Sequence, residues 1–266
     1  MISLLIVSKD RPCQLDLFLR SILKNFLVPY NATVLYTYSN DSYKKGYDIV
    51  LDLYQDKFNF VKETNFKQNV LASLNPNDKY FTSLGDDVVV FDEIGLTKEF
   101  DIFDNDDSIL ALNYRMGRNI DIVFQGRDPE IHPKFVGDNL WNWVTSTSKN
   151  WHYSMALMGQ FYRMSDIINY FPTLSFSNPN SLEGSMVRNP FSHRPLMLSF
   201  DSSKMIELAL NRVQTVALTN KKGNISTEFL NEIWLSGKRL RAEPIYALPD
   251  NINRYYTVNL EYEDRK

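Results

Sequence analysis

Cysteine and histidine are scarce in this chain: Cys13 stands alone, and His132, His152 and His193 are scattered through 266 residues. Their scarcity excludes an internal disulfide framework and any spacing typical of structural zinc sites. Long apolar runs are missing too. The opening Met1-Ile2-Ser3-Leu4-Leu5-Ile6-Val7 stops at Lys9-Asp10-Arg11, too short for the core of an export signal and far too short to span a bilayer. A reducing cytoplasm is therefore expected, with Asn31-Ala32-Thr33 and Asn224-Ile225-Ser226 read as chance matches to the glycosylation sequon. There is no basic excess: 29 Lys and Arg against 32 Asp and Glu leave a net charge of -3, so no overall field draws nucleic acid or anionic lipid. Any anionic ligand must be held locally. Absence of a Gly-x-Gly-x-x-Gly or Walker sequence removes the usual support for dinucleotide and P-loop readings.

What is present is a globular composition, 44% hydrophobic and 23% charged, enough for one large core or two closely joined halves. Ile2 to Val7 reads as a buried strand, followed by Leu15, Phe18, Leu19, Ile22, Leu23 and Phe26 at helical spacing, with Pro12 suited to the first turn. The cycle repeats. Val34 to Tyr38 is a predicted strand before the stripe Tyr47, Val50, Leu51, Tyr54; Phe58 to Lys62 precedes Phe66, Val70, Leu71, Leu74; and Tyr80 to Leu84 is the next strand. Such alternation predicts an α/β fold whose mostly parallel central sheet is flanked by helices, with ligands bound beyond the carboxyl ends of the strands. Further on, Ile109 to Tyr114 is a predicted strand, Arg115 to Asn150 an irregular polar stretch, and Ser165 to Tyr170, Ser199 to Leu210 and Thr227 to Leu235 predicted helices, the last capped by Ser226.

Gly85-Asp86-Asp87 carries the strongest chemical signal. Two adjacent carboxylates between the apolar runs Tyr80 to Leu84 and Val88 to Phe91 repel one another and lose hydration, so a cation or several donors must compensate them. A divalent ion holding a phosphorylated substrate meets that need, since Mg²⁺ or Mn²⁺ accepts one or two carboxylates completed by water and phosphate. A plain strand-connecting turn is the competing explanation. Two other polar loops share the expected rim: Ser8-Lys9-Asp10-Arg11 and Ser39-Asn40-Asp41. Ser39 and Asn40 suit a base or ribose, Asp10 and Asp41 accept from hydroxyls or an imide, and Arg11 can pair with phosphate. Rings concentrate at Trp141, Trp143 and Trp151-His152-Tyr153, where they either stack on sugar or fill a seam between the halves.

Taken in order, several features resemble GT-A glycosyltransferases of the glycosyltransferase family 2-like group. These are the strand running into Ser8-Lys9-Asp10-Arg11-Pro12, Asp86-Asp87 before Val88-Val89-Val90-Phe91, Phe176 to Glu183, Leu210-Asn211-Arg212-Val213-Gln214-Thr215-Val216, and Leu230-Asn231 through Gly237. The resemblance implies a nucleotide-sugar-binding half over residues 1–115 and an acceptor-binding, C-terminal half over residues 116–266 of one GT-A domain. It implies transfer of a sugar from a nucleotide-sugar donor to a glycan or related acceptor, as in polysaccharide biosynthesis. Asp87 would be the catalytic metal ligand for Mn²⁺ or Mg²⁺, with Asp86 nearer the ribose or sugar hydroxyls. Ser8, Asp10, Arg11, Ser39, Asn40, Asp41 and Asp86 would contact the nucleotide. Trp151, Tyr153 and Gln160 would contact sugar or acceptor, and Glu183, opening a helix after Asn178-Pro179-Asn180, would be the base.

Three positions depart from that pattern. Gly85 stands where many relatives carry a third acid, Met158-Gly159-Gln160 where Asp-Gly-His is frequent, and Asn251-Ile252-Asn253-Arg254 supplies no C-terminal histidine, leaving Asn253 as a weak contact to metal or phosphate. They motivate a second expectation, a catalytically silent GT-A-like module that binds a nucleotide or glycan. A third comparison, with the hairpin acids of RNA-dependent RNA polymerases, is opposed by the chain's size and lack of a basic channel.

Overall fold

The structure is a computed structural model describing residues 1–148, 150–214 and 221–265, so Thr215 and Val216 of the motif above lie outside the described residues. The expected cycle is present from the first strand. β1 (Ile2–Lys9), α1 (Pro12–Asn25), β2 (Tyr30–Thr37), α2 (Asp41–Tyr54), β3 (Asn59–Lys62), α3 (Phe66–Ala72) and β4 (Tyr80–Gly85) follow in turn. Pro12 opens α1, where its missing N–H has no intrahelical acceptor to lose, and Leu15, Phe18, Leu19 and Ile22 are all buried. Asn40 and Asn65 cap α2 and α3 by accepting the N–H groups of Tyr43 and Gln68. The strands β3, β2, β1 and β4 lie side by side and pair in parallel.

Downstream come β5 (Val88–Val90), α4 (Lys98–Asn105), β6 (Ile109–Asn113), β7 (Ile122–Phe124), β8 (Phe135–Gly137), β9 (Leu140–Asn142) and β10 (Gln160–Arg163). After these lie α5 (Met164–Thr173), α6 (Pro179–Arg188), β11 (Leu196–Ser199), β12 (Met205–Leu208), α7 (Thr227–Leu235), β13 (Lys238–Leu240), α8 (Glu243–Tyr246), β14 (Ile252–Tyr255) and β15 (Tyr262–Asp264). Among the described residues the main sheet runs β3-β2-β1-β4-β10-β6-β11-β9-β8, with β10 antiparallel between β4 and β6, and β11 parallel to β6. A second sheet among the described residues runs β5-β12-β14-β7, with β5 following directly on β4. The fold is therefore the expected α/β arrangement around a large central sheet. The sheet crosses the boundary expected at residue 115, since β10 is inserted between two N-terminal strands.

Burial on both faces explains why β1 is an almost unbroken apolar run. Ile2, Leu4 and Ile6 point into a core shared with α1, while Leu5 points into a second core with Phe81, Trp141, Trp151 and Phe171. Two expectations are corrected. The helix read over Ser199 to Leu210 is instead the end of β11 followed by β12, because Met205-Ile206-Glu207-Leu208 is buried throughout and gains partners on both sides, β5 and β14. The stretch Arg115 to Asn150 is not wholly irregular, as it contributes β7, β8 and β9 to the two sheets.

Candidate functional site

The carboxyl ends of β1, β2 and β4 open onto a cleft of about 720 Å³. Ser8, Arg11, Ser39, Asp86 and Asp87 line it together with Tyr153, Glu183, Glu207 and Arg254. Parallel strands bring their terminal loops to one edge, so residues distant in sequence meet there.

Arg11 organises the acidic pair. Its Nη1 donates to Asp86 Oδ1 and Asp87 Oδ2, each at 2.9 Å, while Nε donates to Asn211 Oδ1 at 2.7 Å and Nη2 to the Asn211 carbonyl at 2.9 Å. The Ser8 hydroxyl and the Lys9 backbone N–H both donate to Asp86 Oδ2, at 2.7 and 3.2 Å. Tyr47 completes the cluster, its hydroxyl 2.7 Å from Ser8 Oγ. Burial pushes the Asp86 carboxyl up to about 6, with Arg11 opposing the rise and Asp87 adding to it. Burial also acts against the charge on Arg11, but Asp86 and Asp87 outweigh it and hold the guanidinium ionised. Asp87 is the more accessible acid, its side chain 24% exposed against 4% for Asp86.

A second charged cluster lines the same cleft. Glu207 is paired with Arg254 and lies 3.8 Å from Arg115. Burial opposes the charge on Arg254, yet Glu207 and Asp87 together raise its pKa, which places Arg254 within the field of both clusters. Glu183 is held near the start of α6 by the Asn178 capping box. Its Oε1 accepts the Leu157 N–H at 3.0 Å, and no cation lies within ion-pair distance of it among the described residues. Burial raises the Glu183 pKa, with the Leu157 N–H and Arg115 opposing. Its carboxylate also raises the pKa of the neighbouring Tyr153 hydroxyl, for which burial is the larger cause.

The structure gathers Ser8, Arg11, Ser39, Asp86, Asp87, Tyr153 and Glu183 around one cleft, and places the other sequence-derived candidates elsewhere. Asp10, buried, accepts the Ser39 N–H at 2.7 Å and shapes the loop from behind. Asn40 spends its side-chain oxygen capping α2, and Asp41 is exposed in the first turn of that helix. Trp151 is 1% exposed and packs edge-on against Trp141, the seam-filling alternative rather than a sugar platform. Gln160 is fully buried and accepts from the Tyr162 hydroxyl at 2.6 Å. Asn253 is likewise buried, donating to the Arg115 carbonyl at 2.7 Å, so it does not reach the cleft.

The divalent ion expected at Asp87 does not fit this donor set as arranged. Asp86 has both oxygens engaged, and Asp87 Oδ2 faces the same Arg11 nitrogen, so a cation already sits between the two carboxylates. At Gly85 a Cβ would lie 2.8 Å from Asp87 Oδ1 and 3.0 Å from Met158 Cε, the ends of two side chains that would have to shift to admit a third acid. Gly159 permits the adjoining turn, at φ +79°, with Arg115 Cβ only 2.6 Å from where its own Cβ would be.

Sequence reasoning missed Glu207, Arg115, Asn211, Lys221 and Lys222 as cleft residues. Glu207 carried a usable signal, an acid inside the apolar run Met205 to Leu208, the same one that drew attention to Asp86 and Asp87. The others sit in polar loops whose convergence depends on how the second sheet packs.

No family model matches the chain. It is 26% identical over 253 residues to the bifunctional glycosyltransferase pgtA of Dictyostelium discoideum, an alignment covering 81% of this chain and 32% of that protein. The chain thus spans about a third of that relative's length and is homologous to a glycosyltransferase, in agreement with the resemblance drawn from its motifs. Among solved structures, S. aureus TarS aligns with a TM-score of 0.49 at 11% identity, covering 77% of this chain and 36% of that one. TarS 1-349 in complex with UDP aligns with a TM-score of 0.48 at 11% identity, covering 76% and 59%. No helix among the described residues is long and apolar enough to cross a membrane.

Proposed function

We propose that the chain transfers a sugar from a nucleotide-sugar donor to a hydroxyl of a glycan or related acceptor. The observation that carries this reading is the cleft itself. It joins the donor-side loops of β1, β2 and β4 to a carboxylate, Glu183, that has no cation within ion-pair distance among the described residues and whose pKa is raised by burial, the direction that suits a base. Homology to a glycosyltransferase supports it.

In the transfer, the acceptor oxygen forms a bond to the anomeric carbon. The bond from that carbon to the donor's phosphate oxygen breaks, its electron pair leaving with the nucleotide, and the acceptor proton passes to the Glu183 carboxylate. Ser8 and Ser39, which line the cleft, would meet the nucleotide, with Asp10 accepting the Ser39 N–H. Tyr153, beside Glu183, is placed to order the acceptor hydroxyl or the sugar. Arg115 and Arg254 lie against the adjoining Glu207, whereas Glu183 has no cation within ion-pair distance among the described residues.

A panel of UDP-, GDP- and CMP-sugars offered with glycan acceptors tests the reading. Release of nucleotide from one donor, with a glycosylated product, is expected, and Glu183→Gln should suppress it. Saturable nucleotide binding with no turnover of any donor would instead identify the silent binding module.

A further inference from the structure

We infer that the charge of the departing nucleoside diphosphate is taken up by protein cations, Lys221, Lys222 and Arg254 foremost, and that Arg11 replaces a divalent ion between Asp86 and Asp87. The inference rests on the nucleotide-sugar reading of the cleft. It begins from a single nitrogen, Arg11 Nη1, that stands 2.9 Å from both carboxylates. A dication bound there would meet the guanidinium at close range in a poorly solvated site, where like charges repel strongly.

The wider charge distribution fits. Among the described residues the cleft is lined by seven lysines and arginines against five acids, a positive surplus in a chain whose net charge is -3. Arg11 is committed to Asp86 and Asp87, and Arg115 shares Glu207 with Arg254. Lys221 and Lys222 are exposed and have no acidic partner within ion-pair distance among the described residues. Lys221, which lines the cleft, has its Nζ 4.7 Å from the centre of the Tyr256 ring. Charge that develops on a phosphate oxygen as the sugar departs is stabilised by fixed cations as it would be by a metal. No proton or redox step is added, because the broken bond's electron pair stays on that oxygen.

Calorimetry with UDP, GDP and CDP on the full chain, once in chelator and once in Mn²⁺, tests this. The nucleotide that binds should do so with a Kd that changes by no more than about threefold between the two conditions. Lys221→Gln and Lys222→Gln should each weaken it by about tenfold in chelator, the loss of one charge-assisted phosphate contact. Arg11→Met, by freeing both aspartates, should gain saturable Mn²⁺ binding that the unaltered chain lacks; if that variant does not fold, the two lysine variants decide. Tightening by Mn²⁺ of more than about tenfold in the unaltered chain would overturn the inference and leave the nucleotide-sugar reading standing. Unchanged affinity in both lysine variants would also overturn it. Failure of all three nucleotides to bind under either condition would bring down both.

Discussion

Replacing Arg11 by methionine removes one side chain that four hydrogen bonds tie to Asp86, Asp87 and Asn211. Arg11 and Asp86 are 7% and 4% exposed, so the variant leaves a buried carboxylate without its counterion. Breaking a buried pair by removing one partner costs about 3–5 kcal/mol. For a chain of this size each kcal/mol moves the midpoint by about 2–4 °C, which puts the expected fall in Tm on the order of 10 °C at neutral pH. The pH dependence supplies a second reading. Burial already raises the Asp86 pKa from 3.8 to about 6, and Arg11 opposes that rise, so its loss lifts the carboxyl further. An acid whose folded pKa exceeds its unfolded value binds more protons when folded, and stability therefore increases as pH falls through that window. Arg11→Met should recover part of its deficit between neutral pH and pH about 5. Adding Asp86→Asn should recover much of it at neutral pH, with a coupling of about 2 kcal/mol. Denaturant unfolding across pH measures all three quantities. A loss below about 1 kcal/mol for Arg11→Met, the range of exposed pairs, together with no coupling, would refute the view that Arg11 compensates the aspartates.

Glu183→Gln should lower kcat by about 10²–10⁴ with little change in donor KM, and should abolish the acid limb of the pH–rate profile. That limb arises because a base must be unprotonated, and it should lie above the ordinary glutamate range, since burial raises Glu183. Trp151→Ala should cost about 3–5 kcal/mol of stability while leaving donor KM in the surviving folded fraction unchanged, as fits a core ring. Gly159→Ala should destabilise by about 1–3 kcal/mol, because φ +79° and the 2.6 Å approach of Arg115 Cβ leave no room for a methyl group.

The N-terminal half was legible because its signals are local. Apolar strands alternate with helical stripes, and Pro12, Asn40 and Asn65 mark helix starts that hold in three dimensions. Gly85-Asp86-Asp87 was legible as two acids in need of compensation, and the structure supplies it from Arg11, a residue that the sequence pointed toward phosphate. The choice between metal and guanidinium depends on where one flexible side chain lies, which no local pattern encodes. The segment around β12 was misread because its apolar residues suit either a helix or a strand buried between β5 and β14, and only tertiary pairing selects. Trp151 illustrates the remaining ambiguity. A ring suited to stacking on sugar is equally suited to packing on Trp141, and burial decides between them.

A crystal structure of the chain soaked with the nucleoside diphosphate of its donor would test the central claim most directly. The base and ribose should lie by Ser8 and Ser39, the diphosphate between Asp87 and Arg254, and open space should remain before Glu183 for the sugar and acceptor. Nucleotide bound away from this cleft, or lying in it with its phosphates pointed away from Glu183, would contradict sugar transfer at this site.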